Sequence, residues 1–109
     1  MNLQLPDAVE TYFAISNGAD VSRLASCFHA DATVFDENKT HEGIESIKSW
    51  QHEAQQAFTY HVQPLEALHE EGRLTVIARL TGSFPGSPVK LNHVFVLKDG
   101  RIRSLEITP

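Results

Sequence analysis

The sequence is short of several things, and each shortage removes a class of protein. It holds one cysteine in 109 residues, Cys27, so no internal disulfide can form, and a reducing cytoplasm is the expected setting. Nine Lys and Arg stand against fourteen Asp and Glu. The resulting net charge of −5 argues against a nucleic-acid partner, which calls for a basic patch. No apolar run approaches the roughly 20 residues that cross a bilayer, so no membrane partner is expected. The start, Met1-Asn2-Leu3-Gln4-Leu5-Pro6, lacks the basic-then-apolar pattern of an export leader. The six histidines show no His-x-His or His-Glu-x-x-His spacing, and neither a phosphate-cradling glycine loop nor a serine elbow is found. Neither a metal nor a cofactor is therefore expected.

What is present is ordinary globular composition, 41% hydrophobic and 21% charged, at a length that fits one domain over 1–109. Pro6 and Asp7 open a helix running to Asn17, with Val9, Tyr12, Phe13 and Ile15 at helical spacing and Gly18 as its stop. Asp20 caps a second short helix, Val21 to Phe28, within which Cys27 reads as a small buried apolar group. Ala32, Val34 and Asp36 then fall on one face of a strand, placing a carboxylate at the end of an apolar wall. The polar stretch 37–43 reads as a loop, and a third helix is expected from Ile44 to about Ala57. Beyond it the period drops to two. Strands are expected over 59–68 (an edge or a bulge, because of Pro64), 73–84, 89–97 and 101–108. The turns between them are Glu70-Glu71-Gly72, Pro85-Gly86-Ser87-Pro88 and Lys98-Asp99-Gly100. Helices first and a meander afterwards is an α+β pattern, a curved sheet wrapped on a long helix.

Taken in order, Asn17-Gly18-Ala19-Asp20, Leu24 to Phe28, His29-Ala30-Asp31-Ala32-Thr33-Val34-Phe35-Asp36, Gly43-Ile44 with Ile47 and Trp50, and Asp99-Gly100 resemble the nuclear-transport-factor-2-like (NTF2-like) superfamily. The similarity is to its SnoaL-like and ketosteroid-isomerase-like branches, and it covers nearly the whole chain. The resemblance implies a cone of strongly bent sheet around three helices, a pocket at the wide end, and a homodimer formed through the sheet. Its members include enzymes, carriers and association domains, so the fold alone does not give the function.

Three residues match positions used by the isomerases. Tyr12 corresponds to the oxyanion-binding tyrosine, Asp36 to the base that moves a proton on carbon, and Asn92 to an assisting acid. The chemistry fits the first two types: desolvation makes a carboxylate a better base, and a preorganised O–H steadies an enolate oxygen. Asn92 departs from the pattern, since an amide stands where the isomerases carry an acid. Glu37 replaces the proline that follows the base, and the loop after Asp36 is shorter, which speaks against a steroid-sized substrate. Phe28, Val34, Trp50, His61 and Val94 are expected to line the pocket, with His93, opposite Asn92 in the alternation, on the outer face. The resulting expectation is a cofactor-free, isomerase-like pocket for a small apolar carbonyl compound. The alternatives are a non-catalytic ligand-binding or association module and, with a wider pocket, polyketide cyclase-like chemistry.

Overall fold

The computed structural model describes residues 4–109; residues 1–3, where the N-terminal stretch examined for a leader begins, lie outside them. Helix α1 spans Asp7–Ser16 and buries Val9, Tyr12, Phe13 and Ile15. The second helix is shorter than its spacing predicts. A single 3-10 turn, Val21–Arg23, is capped by the Asp20 side chain and leads into α2, Leu24–Cys27. Phe28 is already extended and begins strand β1, Phe28–Asp36. Only Leu24 and Cys27 of α2 are buried, so nothing rewards continuing the helix.

The stretch expected as a loop is a hairpin instead. Glu37 and Asn38 both adopt positive φ, 52° and 63°, and turn the chain into β2, Lys39–Glu42, which pairs antiparallel with β1. Two left-handed residues in succession match the natural twist of a two-residue hairpin. Helix α3 covers Ile44–Ala57, as its periodicity predicts. Strands β3 (Tyr60–Glu70), β4 (Arg73–Gly82), β5 (Val89–Lys98) and β6 (Arg101–Thr108) complete one six-stranded sheet in the order β2-β1-β6-β5-β4-β3. Both readings of Pro64 hold: β3 is an edge strand, and its register slips between Pro64 and Glu66. The β1–β6 pairing is parallel and the others antiparallel, so the curved sheet is mixed and the fold is the α+β cone of NTF2-like proteins.

The core lies between the helices and the inner face of the sheet. Leu74, Val76 and Ala78 of β4 face inward, as do Phe95 of β5 and Ile102 and Leu105 of β6, each at most 2% exposed. They meet Val9, Phe13, Ile15 and Ile47 from the helices. Polar side chains fasten the helices to this core. Gln51 of α3, itself buried, donates to the Ser16 hydroxyl (3.1 Å), and Gln55 donates to the Ile15 carbonyl (2.9 Å).

Candidate active site

Asp36 closes the wall that the sequence assigns to it, with Ala32 and Val34 fully buried behind it on the same face of β1. Its carboxyl is half-buried, and Oδ2 accepts a hydrogen bond from the Trp50 indole Nε1 at 3.1 Å. Desolvation raises the Asp36 pKa above its ordinary value; the Trp50 donor and the His41 charge pull it down, and Glu37 pushes it up.

Trp50 stands between two rings. Tyr12 lies parallel to it with centroids 6.4 Å apart, and His41 is tilted over it at 6.0 Å. The indole also forms part of the wall of an open surface cleft of about 320 Å3, shared with His41, Glu45 and Glu53. Trp50 thus borders that cleft, stacks on Tyr12 and covers one oxygen of Asp36. Tyr12 is 3% exposed, packed edge-on against Phe13, Phe28 and Phe95. Burial raises its phenol pKa well above the usual tyrosine range; the Ser16 hydroxyl pulls it down, and the charges of Tyr60 and Asp36 add to the rise. A phenol in that condition stays protonated and remains a hydrogen-bond donor.

Asn92 is not part of this group. Its register partner is Ile77, on the outer face, and its amide Nδ2 donates to the Pro109 carbonyl at 3.3 Å. The inward residue is its neighbour His93, whose partner Val76 is buried. The expected assignment of these two residues is therefore reversed. Strand β5 offers two apolar phases, Leu91-His93-Phe95-Leu97 and Val94-Val96, and the bulky Phe95 takes the inside. The same one-residue slip removes Val94 from the pocket lining, its place inside being taken by Phe95. His61 is also turned outward and exposed, with Tyr60 and Val62 on the inner side of β3. Phe28 and Val34 are fully buried in the wall, and Trp50 is half-buried at its rim.

His93 is the residue that the sequence placed outside, and Tyr60 the inward one that it left unassigned. His93 is 2% exposed, its Nδ1 has no hydrogen-bond partner, and its ring sits 5.3 Å from Phe13 and 6.3 Å from Tyr12. Burial pushes its pKa down to about 4, against the Leu91 and Val76 backbone, so the imidazole is neutral at ordinary pH. The signal for it was the phase of Phe95, two residues on. Among the described residues, no group of three or more His, Cys, Asp or Glu side chains is placed to share a metal ion.

Comparison with known proteins agrees with this architecture. A model of the SnoaL-like domain matches residues 9–105. Among solved structures, a candidate polyketide cyclase from Sinorhizobium meliloti is 41% identical over 95% of both chains, with a TM-score of 0.91. A protein of ketosteroid isomerase-like fold from Catenulispora acidiphila, solved with trimethylamine, superposes with a TM-score of 0.83 at 22% identity, covering 97% of this chain and 87% of its own. TerC, crystallised with polyporic acid, does so with a TM-score of 0.76 at 18% identity, over 93% and 87%. The last two show likeness of fold alone. No curated protein matches the chain.

Proposed function

We propose, since the chain belongs to the SnoaL-like domain family, that it is a cofactor-free enzyme moving a proton on a small apolar carbonyl compound bound beside Asp36 and Tyr12. The observation that carries this reading is a desolvated carboxylate at the rim of an apolar wall, with a buried, protonated phenol reached through one shared indole. Asp36 takes a proton from the carbon next to the carbonyl. The electron pair left behind forms the enolate, whose oxygen accepts a hydrogen bond from the Tyr12 hydroxyl. In a substrate with a double bond between its β and γ carbons, the protonated Asp36 then returns the proton to the γ carbon, and the double bond moves into conjugation with the carbonyl. Desolvation makes Asp36 a stronger base, and Tyr12 holds its O–H in place before charge develops. Asn92, on the outer face, drops out of the set. The neutral His93 imidazole stands on the inner face instead, buried among Tyr12, Phe13 and Phe95.

The Sinorhizobium relative, as a candidate polyketide cyclase, supports a ring closure driven by the same base as the nearest variant of this chemistry. The two complexes with small molecules support an organic ligand in the pocket. We also infer that two copies pair through the outer face of the sheet, where Thr75, Ile77, Val94 and Val96 are only half-buried.

The experiment is the binding of substituted phenols, followed by ultraviolet spectra, since a phenol bound as its anion imitates the enolate. Anion binding that disappears in Tyr12→Phe is the expected result. It should accompany a fall in turnover of enolisable ketones of about a thousandfold or more in Asp36→Asn, the scale of losing a general base. Phenols bound only in neutral form, indifferently to Tyr12, would make the pocket a container and the protein a non-catalytic carrier.

A further inference from the structure

The chain has one tryptophan, and its indole touches both residues of the proposed proton-transfer pair. Trp50 lies on α3, Asp36 at the end of β1 and Tyr12 on α1, so the fold, not the local sequence, joins them. Three anchors bring α3 to that place. At its start the Gly43 N–H donates to the Ala32 carbonyl at 2.8 Å, tying the helix to the strand that ends in Asp36. Three residues before Trp50, Ile47 is fully buried in the core. Directly after it, Gln51 donates to the Ser16 hydroxyl of α1 at 3.1 Å.

The ring is held as firmly as its helix. Tyr12 lies parallel to it, within 5° at 6.4 Å, and His41 leans on it at 6.0 Å. A planar ring fixed by its neighbours carries its N–H in a fixed direction. That N–H meets Asp36 Oδ2 at 3.1 Å. The last torsion of an aspartate is broad, so an unheld carboxylate can present either oxygen. A donor bound to Oδ2 stops that rotation and leaves Oδ1 to take a proton. A half-buried indole N–H ordinarily finds any acceptor at hand. Here the acceptor is a desolvated carboxylate, and the same ring stacks on the phenol that faces the same chemistry.

We propose that Trp50 is the positioning residue of Asp36: its indole N–H holds Oδ2 so that Oδ1 takes the substrate proton, and its ring keeps Asp36 in register with Tyr12. This rests on the isomerase-like reading above and deepens it. Asp36 also feels Glu37 across the turn and His41 from β2, whereas the Tyr12 and Tyr60 phenols stay neutral where a carboxyl titrates.

Two measurements test it. Because the chain has one tryptophan, the indole N–H signal in a nitrogen-15 spectrum belongs to Trp50. In the free protein that signal is expected to titrate with the midpoint of the Asp36 carboxyl carbon, and to lose this step in Asp36→Asn. A step that survives in Asp36→Asn belongs to His41 and does not count. In Trp50→Phe, which keeps a ring without a donor, the Asp36 midpoint is expected to rise, since the lost hydrogen bond favoured the charged form. An indole signal indifferent to Asp36 would overturn the proposal, and reading it requires no variant at Trp50. The second measurement is turnover of a β,γ-unsaturated ketone. Trp50→Phe is expected to lower kcat about ten- to a hundredfold at nearly the same KM, the scale of a misplaced group. The acid limb of its kcat profile should move to higher pH together with the Asp36 midpoint. A raised KM at unchanged kcat would make Trp50 a wall of the pocket only, and would overturn the proposal. A parent that turns over no such ketone would overturn the proton-transfer reading and the role of Oδ1 with it, whereas the titrations alone decide whether Trp50 holds Asp36.

Discussion

Asp36 and His93 are desolvated groups whose titrations bear on stability with opposite signs. Burial raises the Asp36 pKa above its ordinary 3.8, so the native state holds that proton more tightly than the unfolded chain. Stability linked to Asp36 is thus complete below pH 3.8 and is lost as pH rises through the raised value. Asp36→Asn, whose amide oxygen can still accept the Trp50 N–H, is expected to melt higher than the parent at pH 7, with the gap closing below about pH 3.8. An activity loss joined to a stability gain is the signature of a strained functional carboxylate. A lower melting point at pH 7 would count against that description. His93 runs the other way. Its pKa falls from an ordinary 6.5 to about 4, so its contribution is complete above pH 6.5 and is lost as pH falls toward 4. The difference of about 2.5 pKa units corresponds to ~3 kcal/mol lost across that window. Urea unfolding at pH 7 and pH 4 should show that loss in the parent and a flatter profile in His93→Phe; parallel profiles would remove His93 from the account.

Elements were more legible than faces. The three-to-four spacing of Ile44, Ile47 and Ala54 marks α3, and Pro64 announces an edge or a bulge, both of which occur. The hairpin between β1 and β2 escaped because Glu37-Asn38 lacks the glycine that advertises such turns. The phase of β5 escaped because its two faces are nearly equally apolar, and a slip of one residue exchanges them entirely. Asn17, by contrast, looks like a simple helix end and does more. Its side-chain amide donates to the Val62 carbonyl (2.9 Å), and its Oδ1 accepts the Val62 N–H (2.7 Å). It therefore occupies the free edge of β3 as a neighbouring strand would, tying the end of α1 to the strand that carries Tyr60. Asn17→Ala leaves both backbone groups of Val62 without a protein partner, and a loss of about 1–3 kcal/mol is expected in chemical denaturation. The Val62 amide should exchange with solvent faster than its β4 neighbours. Unchanged exchange at Val62 would show that water substitutes fully for the amide.

At the scale of the molecule, the ambiguity of β5 carries information of its own. A sheet covered on one side and wet on the other alternates apolar with polar. Here the outer face holds Ile77, Val94 and Val96 around Thr75 and Asn92, with Leu68 of the edge strand 60% exposed beside them. These half-buried apolar residues, flanked by Arg79, Lys90 and Glu106 on the same face, support the pairing of two copies proposed above, since a two-fold axis presents the same patch to itself. The helices already occupy the other side, so pairing there would not disturb Asp36, Tyr12 or Trp50. Sedimentation at micromolar concentration should then give twice the 12.1 kDa chain mass for the parent. Val94→Glu, which sets a carboxylate into that face on both copies, should give the single mass. If both sediment as monomers, the patch is covered by something other than this chain. If both sediment as dimers, pairing uses another surface. A monomeric variant that still binds phenolates would show that the pocket belongs to one chain and the outer face to assembly, which separates the functional question from the oligomeric one.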